Sequence, residues 1–466
     1  MKNSYLAIDI GASSGRHIVG YLDEGVLRLE EVYRFPNGMT EKDGRLTWDI
    51  DALFDHVVEG IRIAGERGYK PKTVAIDTWG VDYALIDKDG KRLGEVYGYR
   101  DARCERGMAA TLSMIPFSDL YLRTGIQKLN YNTVFQLVAD KNERPEALYA
   151  AEHLLMIPDY LGYLLTGVVS QEYTNATTGA IVSLDSGEFD TGLGKMLGIP
   201  EKLFGKLAMP GERVGALLPE VRERVGYDIL LIHAPSHDTA SAVMAMPSVS
   251  ENAAYISSGT WSLIGMELME PVRGEGVAES GFTHEGGYEK RYRFLTNIMG
   301  LWIIQSIRRE CEMKYSFGEM SDMARAAEDR GIRVPVNHPT LMAPKSMISA
   351  LGDLIGEALP LGELLSVVYH SLAEHYAASV GVLERVTGKR VDALYIIGGG
   401  SQDEYLNELT RAALDIPVYR GPVEATAIGN IISQMIAGGE VDSLDAARRL
   451  VRHSFDVREV KGDKND

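Results

Sequence analysis

Two short turns of similar make-up are the first places where this sequence could do chemistry. Gly11-Ala12-Ser13-Ser14-Gly15-Arg16 follows an apolar run from Tyr5 to Ile10, and Ser258-Gly259-Thr260 follows another from Ala253. A hairpin tip of Ser and Gly offers backbone N–H groups and hydroxyls without bulk, which suits the oxygens of a polyphosphate. Arg16 adds a fixed cation suited to phosphate. One such turn is an ordinary hairpin. Two, each opening one half of the chain, fit a clamp on a single triphosphate.

Acids stand close to this pattern. Asp9 ends the first apolar run two residues before Gly11. Beside a phosphate turn it suits Mg²⁺, which keeps several waters and takes one or two carboxylates; the alternative is an Asp that caps the turn through backbone N–H groups. Asp238, in Ala234-Pro235-Ser236-His237-Asp238-Thr239-Ala240, opens a helix. It is either a helix cap or a general base that takes a proton from a hydroxyl attacking phosphorus. His237 is then a sugar-hydroxyl ligand or a plain turn residue.

Gly398-Gly399-Gly400-Ser401-Gln402 follows a strand, and three glycines let a flat ring or a ribose approach the backbone. The turn lacks the G-x-G-x-x-G spacing of a dinucleotide fold, and the chain has no Walker A pattern. Asp77-Thr78-Trp79-Gly80-Val81-Asp82-Tyr83 joins an aromatic face to polar groups, a composition suited to sugar, although Trp is more often core. Glu172 to Thr178 lines a pocket or is plain loop. No zinc-type spacing occurs among the ten histidines.

These residues need elements to hold them. Tyr5–Ile10, His17–Leu22 and Val26–Phe35 form an antiparallel meander joined by tight turns. Leu53, Phe54, Val57, Val58 and Ile61 mark a helix that Asp49 or Asp51 can cap, and Thr73 to Asp77 is a buried strand. The grammar restarts near residue 253: strand, Ser/Gly turn, strand. A long amphipathic helix carries Leu364, Leu365, Val368, Leu372, Tyr376, Val380 and Leu383 on one face. Ala393–Ile397 is a strand, and the helix after it carries Leu406, Leu409 and Ala413 on one side. A duplicated α/β protein with a cleft between its halves follows.

Composition narrows the function further. With 48 Lys and Arg against 66 Asp and Glu, the 466-residue chain carries a net charge of −18, which makes nucleic acid an unfavourable partner. Two cysteines, Cys104 and Cys311, exclude a disulfide framework and point to a reducing cytoplasm. Asp9 breaks the N-terminal apolar run, so no export signal is expected, and no apolar run is long enough for a membrane partner.

The ordered strings Asp9–Arg16, Asp77–Tyr83, His237–Ala240, Ser257–Trp261 and Gly398–Gln402 resemble the FGGY carbohydrate kinases from Tyr5 to about Phe455. The resemblance implies two ribonuclease-H-like (actin-like ATPase) domains, each a mixed sheet with flanking helices, around a central cleft. They span 1–247 and 248–456, with a frayed tail at 457–466. The Asp77–Tyr83 string and the Ala12–Arg16 turn are similar to members that act on L-rhamnulose. Implied is transfer of phosphate from ATP, with Mg²⁺ at Asp9, to O1 of that sugar during L-rhamnose breakdown. Asp238 is then the base. Gly80, His237, Asp238, Thr239 and Asn297 contact the sugar, while Ala12, Ser13, Ser14, Gly15, Arg16, Thr260, Gln305, Gly399 and Gly400 hold ATP. Glu424 to Asn430 matches a family signature near the nucleotide. A kinase of L-fuculose or a pentulose is the near alternative, and an actin-like or chaperone-like ATPase the remote one.

Overall fold

A computed structural model describes residues 3–274 and 276–461. The chain forms two compact units. The first gathers Met1–Ala245, Leu268–Arg293 and Thr426–Ser454; the second gathers Met246–Glu267, Phe294–Ala425 and Phe455–Asp466.

In the first unit, β1 (Ser4–Ile10), β2 (Ser14–Asp23) and β3 (Val26–Pro36) form the expected antiparallel meander. Every residue of β1 is buried, the pattern of a central strand covered on both faces. A crossover through α1 (Ile50–Glu66) brings the chain back as β4 (Thr73–Thr78), parallel to β1. Asp49 caps α1 by accepting a hydrogen bond from Ala52 N, and Leu53, Val57, Val58 and Ile61 form its buried face. Each such side chain contributes roughly 1.5–3 kcal/mol by leaving water. Two later strands, β5 (Arg213–Ala216) and β6 (Leu230–Ile232), complete the sheet in the order β5-β6-β4-β1-β2-β3. Because β1, β4 and β6 are parallel, their C-terminal ends share one edge.

The helix Ala425–Ala437 packs back into this unit with buried polar side chains. Asn430 Nδ2 donates to Asp77 Oδ2 (2.6 Å) and Ala75 O (3.2 Å), and Gln434 Nε2 donates to Leu6 O (2.9 Å). Thr73 Oγ1 donates to Gln434 Oε1 (2.6 Å), so the amide serves β1 and β4 at once.

The second unit repeats the scheme with β7 (Ala253–Ser258), β8 (Ser262–Leu268), β9 (Tyr292–Ile298), β10 (Ala393–Ile397), β11 (Val418–Arg420) and β12 (Arg458–Glu459). Their order is β9-β8-β7-β10-β11-β12. Strands β7 and β8 are the antiparallel hairpin; β10 lies parallel to β7, and β11 to β10. With an α/β mixed sheet and flanking helices in each unit, the fold class is the one the resemblance implies. The long helix Leu361–Thr387 buries all seven residues of the face read from its spacing.

The helix Glu404–Ala412 departs from its reading. It buries Tyr405, Leu406, Asn407 and Thr410, while Ala413 lies exposed beyond its end. Asn407 Nδ2 donates to Ser401 O (2.9 Å) and Thr410 Oγ1 to Leu406 O (2.7 Å), so polar side chains enter the core with their bonds made. Of the stretch 457–466, Arg458 and Glu459 pair with β11, and Gly462–Asp466 lie outside the described residues. Among the described residues, no helix is long and apolar enough to cross a membrane.

Candidate active site

Parallel pairing puts three acids of the first unit at one sheet edge. Asp9 at the end of β1 stands in register with Asp77 near the end of β4. Next to them, Thr78 bridges to His237, and Thr78 N donates to Ser236 O (2.9 Å). That bridge carries the chain beyond β6 to Asp238, the first residue of the helix α2 (Asp238–Met244). Ligands of open α/β sheets bind at such an edge, beyond the carboxyl ends of the strands.

Negative charge predominates among these three acids. Arg16, opposite Asp9 across the hairpin, donates from Nη2 to Asp9 Oδ2 (2.8 Å). Asp77 is fully buried; Asn430 satisfies Oδ2, and Oδ1 has no hydrogen-bond partner among the described residues. Loss of water, then repulsion from Asp9, pushes the Asp77 carboxyl well above the ordinary carboxylate range. Asp238 is pushed up to about 7 by the same two causes in the same order. Its Oδ1 accepts from Thr239 N and from Thr239 Oγ1 (3.1 Å), so it does bind the helix start. Yet its side chain keeps 32% of its accessibility, which leaves room for a hydroxyl to approach. A partly open carboxylate that titrates near neutrality has the properties of a general base.

The other first-unit candidates lie on either side. Ser13 is exposed, and Ala12, Ser14 and Arg16 are half-buried around the turn, which Gly11 N closes by donating to Ser14 O (2.9 Å). Gly15 is buried, and a Cβ there would come within 2.1 Å of the Phe35 ring. Thr239 and His237 are buried, and half-buried Gly80 lies against Thr178, whose Oγ1 accepts from Val81 N (3.1 Å). Trp79 belongs to the core rather than to an open sugar face. Its ring is 4.0 Å from that of Trp48, and both indole N–H groups donate to Asp82 Oδ2, at 3.0 and 2.7 Å.

Glu172 is a buried scaffold. It accepts from Thr174 N (2.8 Å), Thr174 Oγ1 (2.8 Å), Asn175 N (3.0 Å) and Ser236, tying this polar run to the stretch before Asp238. Three further residues, unmarked by the sequence reading as site residues, complete the surroundings: Asp77, Glu285 and Arg293. For Asp77 a signal existed, since Ala-Ile-Asp ends both Leu6–Asp9 and Val74–Asp77. Glu285 and Arg293 had none.

In the second unit, Gly398 takes a left-handed φ of 85° where β10 ends. A Cβ on Gly400 would fall 2.0 Å from Ser258 Oγ, so this turn must be glycine to meet the hairpin. Gly399 has no heavy atom within 4 Å of its Cβ direction, which leaves its backbone approachable. Thr260, exposed at the hairpin tip, accepts from Trp302 N through its carbonyl (2.8 Å). That bond ties the tip to the helix Trp302–Glu310, on which Gln305 is half-buried. Asn297 lies on β9, its carbonyl accepting from Asn337 Nδ2 (3.1 Å).

Among the described residues, no three His, Cys, Asp or Glu side chains converge to hold a metal ion. The donor set fits Mg²⁺ all the same, because that ion keeps most of its waters and needs one or two carboxylates. Repulsion among Asp9, Asp77 and Asp238 is what a cation would relieve.

Known proteins with this pattern are numerous. Residues 4–245 match the model of the N-terminal domain of the FGGY family of carbohydrate kinases, and residues 254–438 that of its C-terminal domain. The chain is 41% identical over 462 residues to a rhamnulokinase of Oceanobacillus iheyensis, covering 98% of each. A rhamnulokinase of Bacillus subtilis is 39% identical, over 97% of this chain and 94% of that one. Among solved structures, a gluconate kinase of Lactobacillus acidophilus superposes with a TM-score of 0.83 at 15% identity, covering 99% of this chain and 93% of that one. A xylulose kinase from the same organism gives 0.82 at 16% identity, covering 98% and 93%. At such identities the likeness concerns the fold.

Proposed function

The chain belongs to the FGGY family of carbohydrate kinases, and on that premise we propose that this sugar kinase phosphorylates L-rhamnulose at O1, using ATP, in L-rhamnose breakdown. The observation that carries the choice of sugar is likeness to rhamnulokinases over nearly the whole chain.

Asp238 takes the proton of the O1 hydroxyl as O1 bonds to the terminal phosphorus. The bond from that phosphorus to its bridging oxygen breaks, and ADP leaves. The raised, partly open carboxyl of Asp238 supports this role. Gly80, His237, Thr239 and Asn297 are assigned to the sugar. Ala12, Ser13, Ser14, Gly15, Arg16, Thr260, Gln305, Gly399 and Gly400 are assigned to ATP. Asp9 would hold Mg²⁺, which neutralises phosphate charge when bound. The bond from Arg16 keeps Asp9 oriented meanwhile. Phosphoryl transfer asks a protein mainly for position and charge, and these residue types supply both. We assign the reaction to the cytoplasm, where ATP is available; the two cysteines are unpaired thiols, in keeping with that compartment.

A coupled ADP-release assay over L-rhamnulose, L-fuculose, several pentuloses and no sugar tests the proposal. L-Rhamnulose should give the highest kcat/KM. No signal with it would remove the substrate, and full-rate hydrolysis without sugar would replace the kinase with an ATPase.

A further inference from the structure

The ring of His237 has a neighbour that decides which of its nitrogens carries the proton. Nδ1 lies 3.1 Å from Arg293 Nη2 and 3.5 Å from Glu285 Oε2, while Nε2 lies 3.3 Å from Asp238 Oδ1. Arg293 is wholly buried and firmly held. Its Nε donates to Gly286 O (2.8 Å), and its Nη2 is 3.0 Å from Glu285 Oε2. Gly286, the last residue of the strand Thr283–Gly286, is fixed as well, since its N donates to Thr177 Oγ1 (2.8 Å).

A guanidinium has five N–H donors, no acceptor, and a charge that it keeps. At 3.1 Å, Nδ1 must therefore be the acceptor, because a proton there would set two N–H groups against each other. Glu285, farther off at 3.5 Å, compensates the charge of Arg293 without taking over Nδ1. The proton of the neutral ring is left on Nε2, on the side of Asp238.

We propose that Arg293 is a positioning residue that fixes His237 as its Nε2–H tautomer, so that the ring offers a donor, and not a second base, beside Asp238. Burial, and after it the charge of Arg293, hold the imidazole well below its ordinary pKa, in keeping with a neutral ring. The inference rests on the reading of Asp238 as base and His237 as sugar contact. In that reading one carboxylate removes the proton, and the imidazole N–H steadies an oxygen next to it.

The test uses the whole protein labelled with ¹⁵N at histidine, with long-range ¹H–¹⁵N correlation spectra that report the tautomer of each ring. His237→Gln assigns the signal by its loss. Wild-type His237 should be protonated on Nε2 alone; protonation on Nδ1 would overturn the proposal without any further variant. Arg293→Met combined with Glu285→Leu removes the donor without stranding a buried carboxylate or adding an amide N–H beside Nδ1. This variant should show His237 protonated partly on Nδ1. Its kcat with ketose should fall by about tenfold or more, the scale of a misplaced catalytic contact, while KM for ATP stays within about twofold. An unchanged tautomer in that variant, or an unchanged kcat, would overturn the positioning role. If Asp238→Asn keeps its turnover, the base assignment fails by itself, and the spectra still decide what Arg293 does.

Discussion

In the first unit, two residues before the glycine of the hairpin turn, Asp9 stands opposite Arg16 and beside Asp77. At the same point of the second hairpin, Ser257 stands opposite Leu263 and beside Ile397. The frame is the same: an antiparallel hairpin flanked by a parallel strand. Its occupants are three ionisable groups in one case, and a hydroxyl with two hydrocarbons in the other. Packing asks nothing ionic of this position, as the second unit shows. The first unit accepts a buried carboxyl whose ionisation is resisted by its surroundings, a cost that a purely structural strand pair would avoid. Ionic chemistry therefore belongs to one copy of the frame.

The comparison breaks first at Asp238. Asp238→Asn should lower kcat for the ketose by at least about a hundredfold, the usual loss with a general base, while ATP still binds. Near-normal turnover in the coupled assay would place the base elsewhere. The largest effect on stability is expected at Asp82, which accepts from two indoles, Tyr99 N (3.1 Å) and Gln136 Nε2 (3.0 Å). Asp82→Ala strands these buried donors and should cost about 3 kcal/mol or more in urea denaturation, with a change in tryptophan fluorescence.

A pH profile sharpens the point. Asp238 is pushed up to about 7 and works as a base only when ionised, so kcat/KM should rise about tenfold per pH unit below 7 and level off above it. A profile flat from pH 5 to 8 would contradict its role. The smallest effects separate the two turns themselves. Gly15→Ala would drive a methyl into the Phe35 ring and should cost about 1–3 kcal/mol. Gly259→Ala meets nothing nearer than 3.8 Å and should stay within about 0.5 kcal/mol by thermal melts.

Much of the frame was legible because the stretches Leu6–Ile8, Val74–Ile76 and Ala393–Ile397 are unbroken apolar runs followed by polar or turn residues. The helix face at 404–412 was not, because Asn407 and Thr410 are buried with their hydrogen bonds satisfied, which hydropathy cannot register. Asp9, His237 and Asp238 were legible by residue type and by likeness to a family. Asp77 was read as part of a sugar-like string, since its partnership with Asp9 exists only once β4 lies parallel to β1. Arg293 lies 56 residues beyond His237, and local spacing carries no trace of a contact made by tertiary folding.

The hydrogen bonds of Asn430 and Gln434 have a bearing on synthesis. Ribosomes make the chain from its N-terminus, so Asp77, Asp9 and Asp238 all emerge long before the helix that satisfies Asp77. Arg448, later still, donates to Met244 O (3.3 Å) and Val243 O (3.2 Å) at the end of α2. A chain released at residue 425 would hold every acid of the proposed site and leave Leu6 O, Thr73 and Asp77 without the amides that complete them. A chain stopped there would thus leave the first unit incomplete, its buried Asp77 waiting on an amide made 353 residues later.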